Sequence, residues 1–171
     1  MIRSMNDLTP VLNAAIALLA ALMTVLQVVM APLPNIEPVS LLVMLLAVCC
    51  GWQGLLAVYL YIFLELAVWG PGFWALGYLY VWPVLFALAR LLRRMESPLG
   101  WAVLSGGFGL LFGALFAPLY WAAGGWAAAL SWWIGGIPMD LLHGLGNFAL
   151  ALALFRPLRR ALEKLFQRYG A

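Results

Sequence analysis

The chain has 171 residues, of which 67% are hydrophobic and 9% charged, and its mean hydropathy is +1.04. So few charges cannot cover that much apolar surface in water, which excludes an ordinary soluble domain and makes lipid the expected solvent. The formal charge of +3 hides an uneven distribution, because no Lys or Arg stands between Arg3 and Arg90.

A helix needs roughly 20 apolar residues to cross a bilayer core. The first such run covers about 10–31. It is too long for a signal-peptide core and lacks a small-x-small cleavage site before Pro32, so it is expected to remain as a helix. Within it Ala17 and Ala21 form a small-xxx-small pair, extended by Asn13, of the kind that lets helices approach closely in lipid; packing within the chain is the competing use. Pro32, Pro34 and Pro38 then break the chain. Apolar sequence resumes for longer than one span needs, with Gly51-Trp52-Gln53-Gly54 inside it as a turn signal. Two short helices, 38–50 and 54–69, fit. Cys49 and Cys50 are adjacent, where a disulfide would be strained and a metal would lack spaced partners, so they read as small hydrophobes.

After Gly70-Pro71-Gly72 a fourth helix is expected over 74–92, ending among Arg90, Arg93 and Arg94. A fifth covers 98–122. An aromatic connector with Gly124, Gly125, Trp132 and Trp133 leads to Pro138, which suits the first turn of a sixth helix over 138–156. A basic amphipathic tail, 156–171, follows. The expected fold is thus an all-α integral membrane protein, one domain over 1–171 with six transmembrane helices.

Lys and Arg beside short loops favour the cytoplasmic side. Six crossings put all nine basic residues there, together with both termini. Reading 39–69 as one tilted helix would set the Arg90 cluster opposite Arg3. Glu37, Glu65 and Asp140 then fall on or near the outer side, where Trp69, Trp74, Trp121, Trp126, Trp132 and Trp133 also gather, as an interfacial belt would.

On a helix opened by Pro138, Asp140, His143 and Asn147 fall on one face at spacings of three and four. Ionisable groups at such depth are costly and by default face a cavity or a partner. The alternative is a structural network, with Asp140 as a cap and His143 bonded to a neighbour. Glu65 faces a similar choice between the interface and the same cavity. These residues define a candidate substrate pocket in the outer half, formed by Glu37, Glu65, Trp82, Trp133, Asp140, His143 and Asn147. Its aromatic walls, convergent polar groups and surplus of acids suit a small neutral or cationic heterocycle.

Together these features resemble the S component of energy-coupling factor transporters, the membrane subunits that capture vitamins and related micronutrients. The resemblance runs over nearly the whole chain, through the proline-rich loop Leu33-Pro34-Asn35-Ile36-Glu37-Pro38 and the segment Gly136-Ile-Pro-Met-Asp-Leu-Leu-His-Gly-Leu-Gly-Asn147. It implies substrate capture from outside a prokaryotic plasma membrane. It also implies that Ala17 and Ala21 match the alanine-x-x-x-alanine patch used against a shared transmembrane coupling protein, with two ATP-hydrolysing subunits completing the importer. No phosphate loop occurs in this chain, so ATP hydrolysis is expected in partners and no enzymatic activity here. Metal-transporting relatives use a histidine near the amino terminus, whereas the only histidine here is His143, so neither a metal substrate nor a cofactor is expected, and nucleic acid is not an expected partner. Three rivals stand beside this reading: a proton-coupled carrier or channel using Asp140, His143 and Glu65 as a relay, an intramembrane serine protease using Ser105 and His143, and a structural assembly subunit. The protease is disfavoured because its two residues would lie at different depths.

Overall fold

The computed structural model describes residues 10–33 and 36–169. Arg3, Pro34 and Asn35 lie outside the described residues. The elements are α1 (Pro10–Met30), α2 (Val39–Cys49), a 3-10 turn (Gly51–Gln53), α3 (Gly54–Trp69), α4 (Phe73–Leu91), α5 (Pro98–Leu110) and α6 (Phe112–Tyr169). No strand occurs among the described residues. The stretches Leu12–Met30, Gly51–Trp69, Phe73–Leu91 and Pro98–Gln167 are each long and apolar enough to cross a bilayer, as a multi-pass membrane protein requires.

α2 is different. Its 11 residues extend about 16 Å, half a bilayer core, and every residue from Val39 to Ala47 is buried. A uniformly apolar helix is suited to burial on all sides, and α2 packs against α1, α3, α4 and α6. Its junction with α3 is tight: Gly51 has φ 61°, and a Cβ at Gly54 would stand 2.6 Å from the Leu46 carbonyl oxygen. Arg90 Nη1 donates to the Ala47 carbonyl at 3.5 Å, giving an orphan carbonyl of the last α2 turn a partner. Trp101 Nε1 and Arg159 Nη1 both donate to the Met95 carbonyl, at 3.0 and 3.4 Å. These bonds gather residues 47–54, 90–101 and 155–163 at one end of the bundle, the arginine end. Ile36, Glu37, Trp69 and Trp74 mark the opposite, loop end.

The last third differs from the sequence expectation. No helix opens at Pro138. The chain reverses at Gly125, whose φ of 73° and ψ of −170° are accessible only to glycine, and helix resumes directly through 126–169. Trp126, the alanines that follow it and Leu130 continue a helix without a break, and Pro138 sits inside it. An apolar helix tolerates that proline where neighbouring elements re-satisfy the freed backbone groups. α5 and the first arm of α6 (112–124) lie antiparallel to the second arm. Trp101 stacks on Phe155 with centroids 4.3 Å apart, and Tyr120 stacks on Trp132 at 4.0 Å. Between them a Cβ on Gly109 would meet the backbone of His143 and Gly144 at 2.8 Å, so the two helices touch main chain to main chain.

α1 turns Ile16, Ala20 and Met23 into the core and leaves Ala17, Leu18, Ala21 and Leu22 exposed. The packing within the chain is therefore carried by the other face, not by the Ala17–Ala21 pair.

Candidate functional site

Three helices meet around Gln27, the one amide in the loop-end half of α1. Tyr61 of α3 donates its hydroxyl to Gln27 Oε1, and Gln27 Nε2 donates to the Tyr78 hydroxyl of α4 at 3.5 Å. An amide held from both sides cannot rotate freely, so it fixes both phenols and ties α1 to α3 and α4. In a low-dielectric surrounding such a bridge is worth about 0.6 to 2 kcal/mol. Trp82 lies beneath, with no exposure, edge-on to Tyr61 and Tyr78 at 6.1 and 5.4 Å.

Two adjoining cavities open above this cluster. One of about 290 Å³ is bounded by Gln27, Glu65, Trp69, Trp74 and Tyr78. The other, about 210 Å³, shares Gln27 and Trp69 and is bounded by Ile36 and Glu37 of the loop. Glu65 is 1% exposed, and its Oε1 has no hydrogen-bond partner. A buried carboxylate oxygen without a donor is a costly arrangement that a ligand donor or cation relieves. Glu37 stands close enough for the two acids to repel: burial first and the Glu65 charge second push its carboxyl up to about 7. Two acids, three aromatic rings and an amide, with no basic group among them, favour a cation.

The sequence-predicted residues do not converge on one pocket. Glu37 and Glu65 border the cavities and Trp82 underlies them. Trp133 is 41% exposed on the outside of α6, and its neighbour Trp132 makes the ring contact instead. Asp140, His143 and Asn147 do share a buried face, but that face is pressed against α5 and α2. Both Asp140 carboxylate oxygens accept from the Gly113 N–H, at 3.0 and 3.1 Å, supplying a partner to a donor at the start of α6. Asn147 Nδ2 donates to Ser40 Oγ at 2.9 Å, joining α6 to α2. His143, 2% exposed, lies edge-on to Phe112 at 4.8 Å with Nε2 unpartnered. Phe112 stands between His143 and the Tyr78–Trp82 pair, so no described hydrogen bond carries a relay from Asp140 and His143 to Glu65. Ser105 Oγ and His143 Nε2 are both unpartnered and hence not bonded to each other, which leaves the protease reading without its essential contact.

Gln27, Tyr61, Trp69, Trp74 and Tyr78 are site residues that sequence reasoning missed. A readable signal was present. Tyr61, Glu65 and Trp69 recur at intervals of four on α3, as do Trp74, Tyr78 and Trp82 on α4, which puts each trio on one helix face. Among the described residues no group of three metal-ligating side chains occurs. No protein-family model, curated protein or solved structure matches the chain.

Proposed function

We propose that this chain is the substrate-capturing S component of an energy-coupling factor importer in a prokaryotic plasma membrane. In this reading the chain makes six crossings with both termini in the cytoplasm. It takes a small cationic or neutral heterocycle, such as a vitamin, from outside at the Gln27–Glu65 site and delivers it through a coupling subunit driven by two ATPase subunits. The observation that carries the reading is the buried Glu65 carboxylate, with its Oε1 lacking a donor, among Gln27, Trp69, Trp74 and Tyr78 at the end of the bundle away from the arginines. One-sided arginines support the orientation. The outward-facing Ala17–Ala21 pair supports a partner helix, because small side chains left off the core give a docking backbone room to approach.

The double substitution Ala17→Trp, Ala21→Trp tests the assignment. Ligand retention by the isolated subunit, read by native mass spectrometry, is expected to persist. ATP-dependent uptake and co-purification with the coupling subunits are expected to fall by at least tenfold. Normal uptake in a correctly inserted variant removes the coupling reading, and uptake driven by a proton gradient without partners favours the carrier.

Protonation gives a second test. Glu37 is neutral below about 7 and charged above it. Affinity for a cationic ligand should therefore rise with pH through that region, and a bound cation, by stabilising the carboxylate, should lower the midpoint. Titration of binding between about pH 5.5 and 8.5 reads this, and Glu37→Gln should make the profile shallower.

A further inference from the structure

We propose that the arginine end carries a binding site for the phosphodiester headgroup of an anionic glycerophospholipid, between the start of α5 and the second arm of α6. A cavity of about 250 Å³ lies there. Its floor is apolar: Trp101 and Phe155 stack with an interplanar angle of 19°, and Pro98 completes it. Its wall is a run of one helix carrying Arg156, Arg159 and Arg160.

The three arginines are not equivalent. Arg159 is already engaged, through Nε to Glu163 at 2.8 Å and through Nη1 to the Met95 carbonyl at 3.4 Å, and so it holds α6 to the α4–α5 connection. Arg156 and Arg160 are exposed and have no acidic partner among the described residues. Glu96 also lines the cavity without a pair. Three arginines against Glu96 and Glu163 leave one positive charge, which matches a monovalent phosphodiester better than a doubly charged phosphate monoester. Guanidinium groups present paired donors in the geometry that phosphate oxygens accept.

The apolar surroundings decide between a lipid and a soluble anion. Leu99, Leu154 and Leu158 are exposed beside the cavity, on helix surface that water would leave unsatisfied. A molecule with an anionic head and acyl chains fills both the charged cavity and that apolar flank, and a basic pocket at a membrane surface is where such headgroups are held. The inference needs the chain to be embedded in a bilayer and does not depend on the transport reading.

The test uses the full chain, purified, delipidated in detergent and titrated by native mass spectrometry. Phosphatidylglycerol is expected to bind at least tenfold more tightly than phosphatidylcholine. Arg156→Gln and Arg160→Gln should each weaken it about fivefold, while Arg93→Gln, outside the cavity, should leave it unchanged. Arg156 and Arg160 are both solvent-exposed, so circular dichroism of these variants should match the parent. Glu96→Gln should strengthen binding, since it removes the unpaired repulsive charge. Equal binding of the two lipids overturns the proposal, as does a loss in Arg93→Gln equal to that in Arg156→Gln, which would mean diffuse surface attraction. Displacement of the lipid by millimolar glycerol 3-phosphate overturns it in favour of a soluble-anion site.

Discussion

In the transport reading, Glu65→Gln should cost the isolated protein about a hundredfold in affinity for a cationic ligand, roughly 3 kcal/mol, because it leaves the buried cation without its counter-charge. The amide keeps the size of the carboxylate, so the loss reports charge and not cavity shape. Gln27→Leu should follow with about 10-fold, acting through Tyr61 and Tyr78: without the amide both phenols lose their bridging partner and the rings are free to turn. Asp140→Asn should leave affinity within about twofold, since its carboxylate serves the Gly113 N–H and a side-chain amide oxygen can still accept that bond. Isothermal titration of the three variants separates the readings. An Asp140→Asn loss as large as that of Glu65→Gln would move the site to the α6 stripe.

Two glycines on α5, two residues apart, should respond in opposite ways. A Cβ on Gly109 would stand 2.8 Å from backbone atoms of His143 and Gly144, whereas one on Gly107 meets nothing within 4 Å. Backbone cannot swing aside as a side-chain tip does, so Gly109→Leu must part the α5–α6 contact. That parting would also pull Asp140 from Gly113 and expose the unpartnered His143 imidazole. A loss of 3 kcal/mol or more is expected, with low yield of folded protein. Gly107→Ala should be neutral or stabilising by up to about 1 kcal/mol, the helix-propensity gain. Thermal unfolding in detergent reads both, and equal destabilisation of the two variants would contradict the close approach.

How far the sequence foretold this depends on which physical signal each feature uses. All-helical, apolar architecture follows from composition alone, since lipid admits helices wherever backbone groups must pair internally. The glycines at 51 and 54 coincide with the turn between α2 and α3 because a left-handed φ and a 2.6 Å approach leave no other residue comfortable. Pro138 misleads for the opposite reason: proline punctuates helices in water, but here the apolar helix continues through it. The site was half legible. Charged residues in apolar sequence draw attention by their cost, which finds Glu37 and Glu65. Tyr61, Tyr78 and Trp74 carry no such cost, and only the pairing of α1 with α3 and α4 reveals them. Asp140, His143 and Asn147 were readable as one face, but periodicity does not say what that face meets.

The enclosed α2 has a bearing on how the protein is made. The 11 helical residues of α2 are too few to make a stable span by themselves, so the translocon has nothing stable to release when they emerge. Its side-chain hydrogen bond to α6, Ser40 to Asn147, waits for a residue synthesised roughly 100 positions later, which at about 5–20 residues per second is on the order of 5–20 s. During that interval α2 must be sheltered by α1 and α3 or by an insertion factor. Assembly of this bundle is therefore out of chain order, with its most central helix among the last to reach its final surroundings.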